Sequence, residues 1–306
     1  FFYNYEGLRE AREASVVRIV PLASLGRGEV RFFNANSNIV TLSAAQVNAL
    51  TLNGAPVVDV NPAALALLAD AARRYPANDF QVGDGLNTAG YRFNANVPAE
   101  TNTHTMRFDW NVTSDQKQVV MFRGIFQDDF FDGASAFPDT PSTRRTSRPL
   151  SIAVGHTWLI RNNFINNFRY GFSRQSFEDT GDSENDAITF RAVFSPNLFA
   201  YPFSRKTDTQ NFTNDVSWVK GQHNVQFGTN IRLVRNERTD DSPRFNNAIV
   251  NRSFFASSGA VLTRPILQVP GLTIRDDFVL STRDAMAAVL GRFAQYSVNT
   301  NFGLDG

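Results

Sequence analysis

The sequence predicts an all-β protein: part of an antiparallel transmembrane β-barrel, about eight strands of a larger one, with long extracellular loops that carry short helices. Three observations lead there. Apolar and polar residues alternate over segments of about nine to twelve residues, the period of a strand with two unlike faces. The connections alternate in length, short polar turns at one end and long excursions at the other, as in barrels with periplasmic turns and extracellular loops. Phe is the dominant ring, with 28 residues beside 7 Tyr, 3 Trp and only 3 Met.

Composition narrows the class further. The 306 residues carry 30 basic and 29 acidic side chains, which argues against a dedicated nucleic-acid binder, since these show a basic excess. Mean hydropathy is −0.27, and the longest apolar run, Ala63–Ala69, is about seven residues against the ~18 of a membrane-spanning helix. A helical membrane protein is excluded; a barrel is not, because its strands average lipid-facing with lumen-facing residues. The lack of Cys removes disulfides, thiolate metal sites and cysteine nucleophiles. Phe1–Glu10 (FFYNYEGLRE) has neither an initiator Met nor a signal-peptide layout, so the chain reads as an internal piece of a longer one.

The strands follow in order. Phe1–Tyr5 is read as the first. In His104–Val112, Met106, Phe108, Trp110 and Val112 share one face, and Thr105, Arg107, Asp109 and Asn111 the other. After the turn Thr113–Lys117, Gln118–Gln127 puts Val120, Phe122, Gly124 and Phe126 on one side, but its other side is nearly as apolar and its facing stays open. A second pair places Leu150, Ile152, Val154, Trp158 and Ile160 before a turn at Arg161–Asn163, then Phe164, Phe168, Tyr170 and Phe172 against Asn167, Arg169, Gly171 and Ser173. A third places Phe212, Val216 and Trp218 before the turn Val219–His223, then Val225, Phe227, Ile231 and Leu233 against Gln226, Gly228, Asn230 and Arg232. Ala294–Phe302 is read as the eighth strand. The long excursions run from Glu6 to Asn102, Asp128 to Pro149, Ser176 to Asp208 and Arg235 to Arg292.

Two stretches read as helices, both decorating excursions. Asn61 and Pro62 suit the cap and first turn of Ala63–Tyr75, which Pro76 stops. Asp284–Leu290, ending at Gly291, is shorter. The three tryptophans, Trp110, Trp158 and Trp218, each lie on an apolar face beside a short turn; indole prefers the headgroup level, so the row reads as an aromatic girdle at one membrane interface.

These segments resemble, in order, the Oar-like TonB-dependent receptors that carry a carboxypeptidase-regulatory-like domain. FFYNYEGLRE is similar to the first barrel strand of that family. RRYP (Arg73–Pro76), MRFDWNVTSDQKQVVMFR (Met106–Arg123), GHTWLIRNNFINNFRYGFSRQ (Gly155–Gln175), DVSWVKGQHNVQFGTNIR (Asp215–Arg232) and DAMAAVLGRFAQYSV (Asp284–Val298) follow. The resemblance implies an outer-membrane barrel of about 22 strands with a plugged lumen, energised through TonB and importing a large or scarce nutrient. It implies outer-membrane lipid, a plug domain and the TonB complex as partners, with no nucleic acid and no cofactor. Plug, TonB box and terminal aromatic strand are not in this sequence, which corresponds to roughly the first third of such a barrel.

Catalytic and metal motifs are not matched. His104, His156 and His223 lie apart, without a second ligand at metal-site spacing. Gly133–Phe137 (GASAF) fails as a nucleophile elbow at its last residue, and Gly83–Gly90 (GDGLNTAG) reads as a turn. Asp179, Asp182, Glu184 and Asp186 form an acidic loop that suggests at most weak Ca²⁺ binding, and Arg144, Arg145 and Arg148 a basic one that could meet lipid phosphates. The expected functional surface is the lumen wall: Arg107, Asp109, Asn167, Arg169, Gln226, Asn230 and Arg232, facing plug or substrate. The expected function is nutrient uptake without chemistry. The alternatives are an adhesion or envelope-organising barrel and a secreted β-sandwich binding carbohydrate, the last requiring the apolar faces to form an interior.

Overall fold

A computed structural model describes residues 1–49, 51–52, 55–56, 59–180, 186–195, 202–240, 246–254 and 273–298. Its main element is an antiparallel sheet of eight strands: β1 (Phe2–Glu10), β2 (Ala99–Asn111), β3 (Gln118–Asp132), β4 (Arg144–Ser147), β5 (Leu150–Arg161), β6 (Phe164–Thr180), β7 (Phe203–Lys220) and β8 (His223–Asp240). The order is sequential, as hairpins dictate. The short β4 and the long β5 lie end to end between β3 and β6. Between them stands Pro149, which has no N–H to donate, so the ladder breaks there. Among the described residues β1 and β8 lie at the two edges and do not pair with each other, so the sheet is open.

Several boundaries differ from the sequence reading: β1 runs to Glu10 rather than Tyr5, β2 starts at Ala99 rather than His104, and β3 ends at Asp132 rather than Gln127. β6, β7 and β8 run well past the ends of their apolar alternation, to Thr180, from Phe203 and to Asp240. The distal halves carry polar residues on both faces, so they show no periodicity to read, yet cross-strand ion pairs and ladder hydrogen bonds hold them. The expected eighth wall strand, Ala294–Phe302, is instead the strand Phe293–Ser297, which pairs with Asn247–Val250 in a separate three-stranded sheet; residues 299–302 lie outside the described residues. A five-residue strand pairs with whatever hydrophobic partner the tertiary fold brings near, and its alternation alone does not name that partner.

The excursions are more than decoration. Glu13–Pro21 pairs with Thr88–Asn96 as a ribbon rising from the sheet, and a hairpin of Val30–Phe33 with Ile39–Leu42 follows. Helix α1 (Pro62–Arg74) starts as the sequence predicts, with Asn61 Oδ1 accepting from the N–H groups of Ala63 and Ala64 at 2.9 and 3.2 Å. Helix α2 (Val279–Leu290) starts five residues before the predicted Asp284 and stops at Gly291, whose φ of 59° a side chain disfavours. Leu25, Phe32, Val47 and Leu68 from the first excursion pack with Val193, Val250, Ile274, Met286 and Val289 from later ones in one buried cluster. A second cluster joins Val20 and Tyr75 to Ala136 and Phe137 of the β3–β4 loop. The long loops thus share a core and form a cap on the wall.

The GDGLNTAG stretch is a turn, as expected. At Gly83 φ is +87° and a Cβ would stand 2.5 Å from the Thr88 carbonyl oxygen, so only glycine fits. Asp84 Oδ1 accepts from the backbone N–H groups of Leu86, Asn87 and Thr88 at 2.7–3.0 Å. The fully buried Asn87 docks the turn on the hairpin, its amide nitrogen donating to the Arg31 carbonyl at 2.7 Å and its oxygen accepting from the Arg31 N–H at 2.8 Å.

Candidate functional site

Residues directly opposite in an antiparallel pair share a face, so the register assigns each side chain of the wall to one of two surfaces. Phe108 stands opposite Phe122, and Phe122 opposite Val154. Val154 continues to Tyr170, Phe212 and Ile231. The apolar sides of all the long strands therefore form one continuous face, which settles the facing of β3. It is uncovered: Trp110 is 64% and Phe227 60% exposed. The packed cores lie in the cap instead. This overturns the sandwich alternative, which needs these rings inside.

The three tryptophans sit on that face in a staircase. Val120 links Trp110 to His156 in one row, and Trp158 comes two positions after His156. Asn166 links Trp158 to Val216, and Trp218 comes two positions after Val216. Each jump of two residues spans two strands, one residue per strand. Since neighbouring strands lie about 4.8 Å apart and residues rise about 3.3 Å, the indoles share one height when the strands tilt about 35°, within the 35–45° of membrane barrels. The apolar stretches Phe164–Phe172 on β6 and Val225–Leu233 on β8 then give a band about 22 Å tall, close to the ~25 Å such barrels present to lipid.

Beyond the band the same face turns ionic. Arg174 meets Asp208 at 2.6 and 2.8 Å, Arg144 meets Asp132 at 2.6 and 2.8 Å, and Arg235 meets Glu237 at 2.6 Å. The distal halves of the hairpins therefore stand clear of lipid. Of the basic loop residues, Arg145 is held by Asp179 at 2.6 and 2.7 Å and Arg148 by Asp128 at 3.1 Å. In the acidic loop, Asp179 is engaged with Arg145 and Asp186 accepts from the Asn246 N–H at 2.8 Å; Asp182 and Glu184 lie outside the described residues. His104 and Tyr3 meet through the ring nitrogen Nδ1 and the phenol at 2.6 Å.

The opposite face is polar, and the register brings Arg107, Asp109, Asn167, Arg169, Gln226, Asn230 and Arg232 onto it together. Arg107 chelates Asp109 with two 2.8 Å bonds, Arg169 lies 3.7 Å from Asp215, and Thr157 donates to Asn167 at 2.9 Å. Arg232 reaches Asn211 at 3.5 Å. One further cation belongs here: Arg123, directly opposite Arg107. Sequence reasoning passed over it because both sides of its strand are apolar enough to look alike, and only the register signals it. Among the described residues it has no hydrogen-bond or ion-pair partner.

An antiparallel wall with one bare apolar face of membrane height, a tilted row of indoles at its edge and a polar opposite face defines a segment of a transmembrane β-barrel. In agreement, the family model of an outer membrane beta barrel domain matches residues 1–301. The chain belongs to that family, and its place is the outer membrane. No curated protein and no solved structure matches the chain.

Proposed function

We propose that this chain is the wall and cap of a TonB-dependent receptor that binds a large or scarce nutrient at the cell surface and passes it across the outer membrane without chemical change. The observation that carries the reading is the inner face, which is polar on β2, β6, β7 and β8 over the height at which the outer face is apolar, with β3 its most apolar part. A wall lined by Arg, Asn, Gln and Thr suits a hydrated solute or a polar plug. The cap supports it too, since loops that share a core can hold a defined surface over the mouth of a lumen, and the ordered family-like stretches point the same way.

The test is uptake by whole cells. A panel of labelled ferric chelates, cobalamins and oligosaccharides is offered to the parent strain and to a deletion of the gene, with and without a protonophore. Loss of one nutrient on deletion, reproduced by the protonophore, supports the reading. Unchanged uptake throughout, with altered cell–cell or surface attachment, favours an adhesion barrel. That second reading draws on one observation, the exposed Leu67, Phe80 and Ile188 on the cap, which offer a surface for another macromolecule.

A further inference from the structure

We infer that the inner wall carries a binding site for a carboxylate or phosphate group, formed by Arg123 and Arg169 around a floor of Ala153, Gly155 and Gly171, and that the transported substrate is therefore anionic. The inference rests on the transport reading and deepens it.

The first observation is a pair of like charges in direct register. Arg107 and Arg123 face each other across β2 and β3 on the same surface, an arrangement that is unfavourable unless something neutralises it. Asp109 neutralises Arg107 from two residues away. Nothing described does so for Arg123, which is exposed toward the lumen.

The second observation is the space beside it. Ala153 continues the row of Arg123 on β5, and Gly171 continues it on β6. Gly155 and Arg169, opposite each other, form the next row. Neither glycine is demanded by packing. A Cβ at Gly171 would meet only the Asn211 Cβ at 4.0 Å, and at Gly155 it would reach Met121 and Arg169 carbons at 3.4–3.9 Å. One strand, β5, lies between Arg123 on β3 and Arg169 on β6, and it presents only Ala153 and the buried Gly155 there, with the Met121 methyl beside Gly155. By strand spacing and rise their Cα atoms lie about 12 Å apart. Two arginine arms across that gap leave room for one oxyanion, which each guanidinium can grip with paired N–H donors. Arg169 is held only loosely by Asp215, at 3.7 Å, so it can turn to an arriving anion at small cost.

A small solute fits these features better than an acidic protein segment. Protein interfaces bury ~800 Å² per partner around an apolar centre, whereas these rows offer two arginines among small residues, hydroxyls and amides.

The test uses the purified full-length receptor in detergent micelles, titrated calorimetrically with citrate and pyrophosphate, and with glucose and spermidine as neutral and cationic probes. The expected result is binding of the anions alone, weakened at least tenfold by Arg123→Gln and by Arg169→Gln but unchanged by Arg161→Gln, which ends β5 at the short-turn side of the wall. Heat-modifiable gel migration confirms that each variant is folded. No binding of either anion, equal binding in all variants, or equal binding of glucose overturns the inference. An acidic segment of the polypeptide seated on the two arginines would show as absent anion binding together with a lowered melting temperature for Arg123→Glu, and also overturns it. Uptake that depends on the gene but survives both Gln substitutions removes the anion site and leaves the transport reading standing.

Discussion

The phenol of Tyr75, the last residue before Pro76, donates a 2.6 Å hydrogen bond to Asp139 Oδ1 while its ring stacks on Phe137 at 3.8 Å. Arg74 grips the other oxygen of Asp139 at 2.7 and 3.2 Å. The RRYP stretch thereby fastens α1 to the β3–β4 loop, linking two excursions that are distant in sequence. Tyr75→Phe removes a bond to a half-exposed carboxylate and is expected to cost about 1–2 kcal/mol; Phe137→Ala leaves a cavity in the small cluster and costs about 3–5 kcal/mol. Hydrogen exchange of the α1 amides in the full-length protein reads both. Protection unchanged by Phe137→Ala would show that the latch carries no load.

The same latch sets a pH dependence. The Tyr75 hydroxyl, and after it the Arg74 guanidinium, hold the Asp139 carboxyl below the usual carboxylate range. A lowered folded-state value means that its stabilisation is complete above the ordinary pKa of ~3.9 and is lost as pH falls through the lowered value. Burial, and then the bond to Asp139, push the Tyr75 phenol above its usual 10.0, so that contribution is complete below the ordinary value and is lost only as pH rises beyond it. Exchange protection of α1 should accordingly be flat from about pH 5 to 9 and fall in acid; a step near neutral pH would contradict the assignment.

Phe168 and Asn167 are neighbours on opposite faces of β6 near the middle of the apolar band. Phe168→Arg is expected to cost about 2–4 kcal/mol in the lipid-embedded barrel while Asn167→Arg is tolerated. Unfolding titrations in vesicles measure both, and equal costs would sink the facing of the whole sheet.

The tryptophan staircase predicts a depth. In single-Trp variants of the intact barrel, quenching by brominated lipids should place Trp110, Trp158 and Trp218 at the same level. Strands running upright would separate successive indoles by about 7 Å, a difference this measurement resolves.

The shared core of the cap predicts transmitted damage. Leu68 is 1% exposed and belongs to the cluster containing Val193, Val250 and Val289. Leu68→Ala should cost about 2–5 kcal/mol and deprotect the amides of Ala187–Phe190 and Asn247–Val250 along with those of α1. Loss confined to α1 would mean that the loops fold separately.

The two-faced strands were legible from residue order because a wall between lipid and water imposes a strict period of two. The Asn61 cap and Gly291 stop of the helices were legible too, since caps are local chemistry. Arg123 was not, because its strand carries Val119, Met121 and Ile125 on the polar side. Nor were the distal halves of β6, β7 and β8, where Arg174 and Asp208 pair across strands and polar residues on both faces leave no periodicity within any one of them.

By itself, then, the sequence determined that this is a β wall with one lipid face, short turns marked by Trp110, Trp158 and Trp218, and polar residues such as Asn167 and Arg169 on the far side. Alternation is a property of each strand alone. Tertiary structure decided which strands are neighbours, that Phe293–Ser297 leaves the wall for the cap, that the excursions share a core, and that Arg107 and Arg123 confront each other across β2 and β3. Those are relations between strands far apart in the chain, set by register and packing, and register exists only once the strands have met.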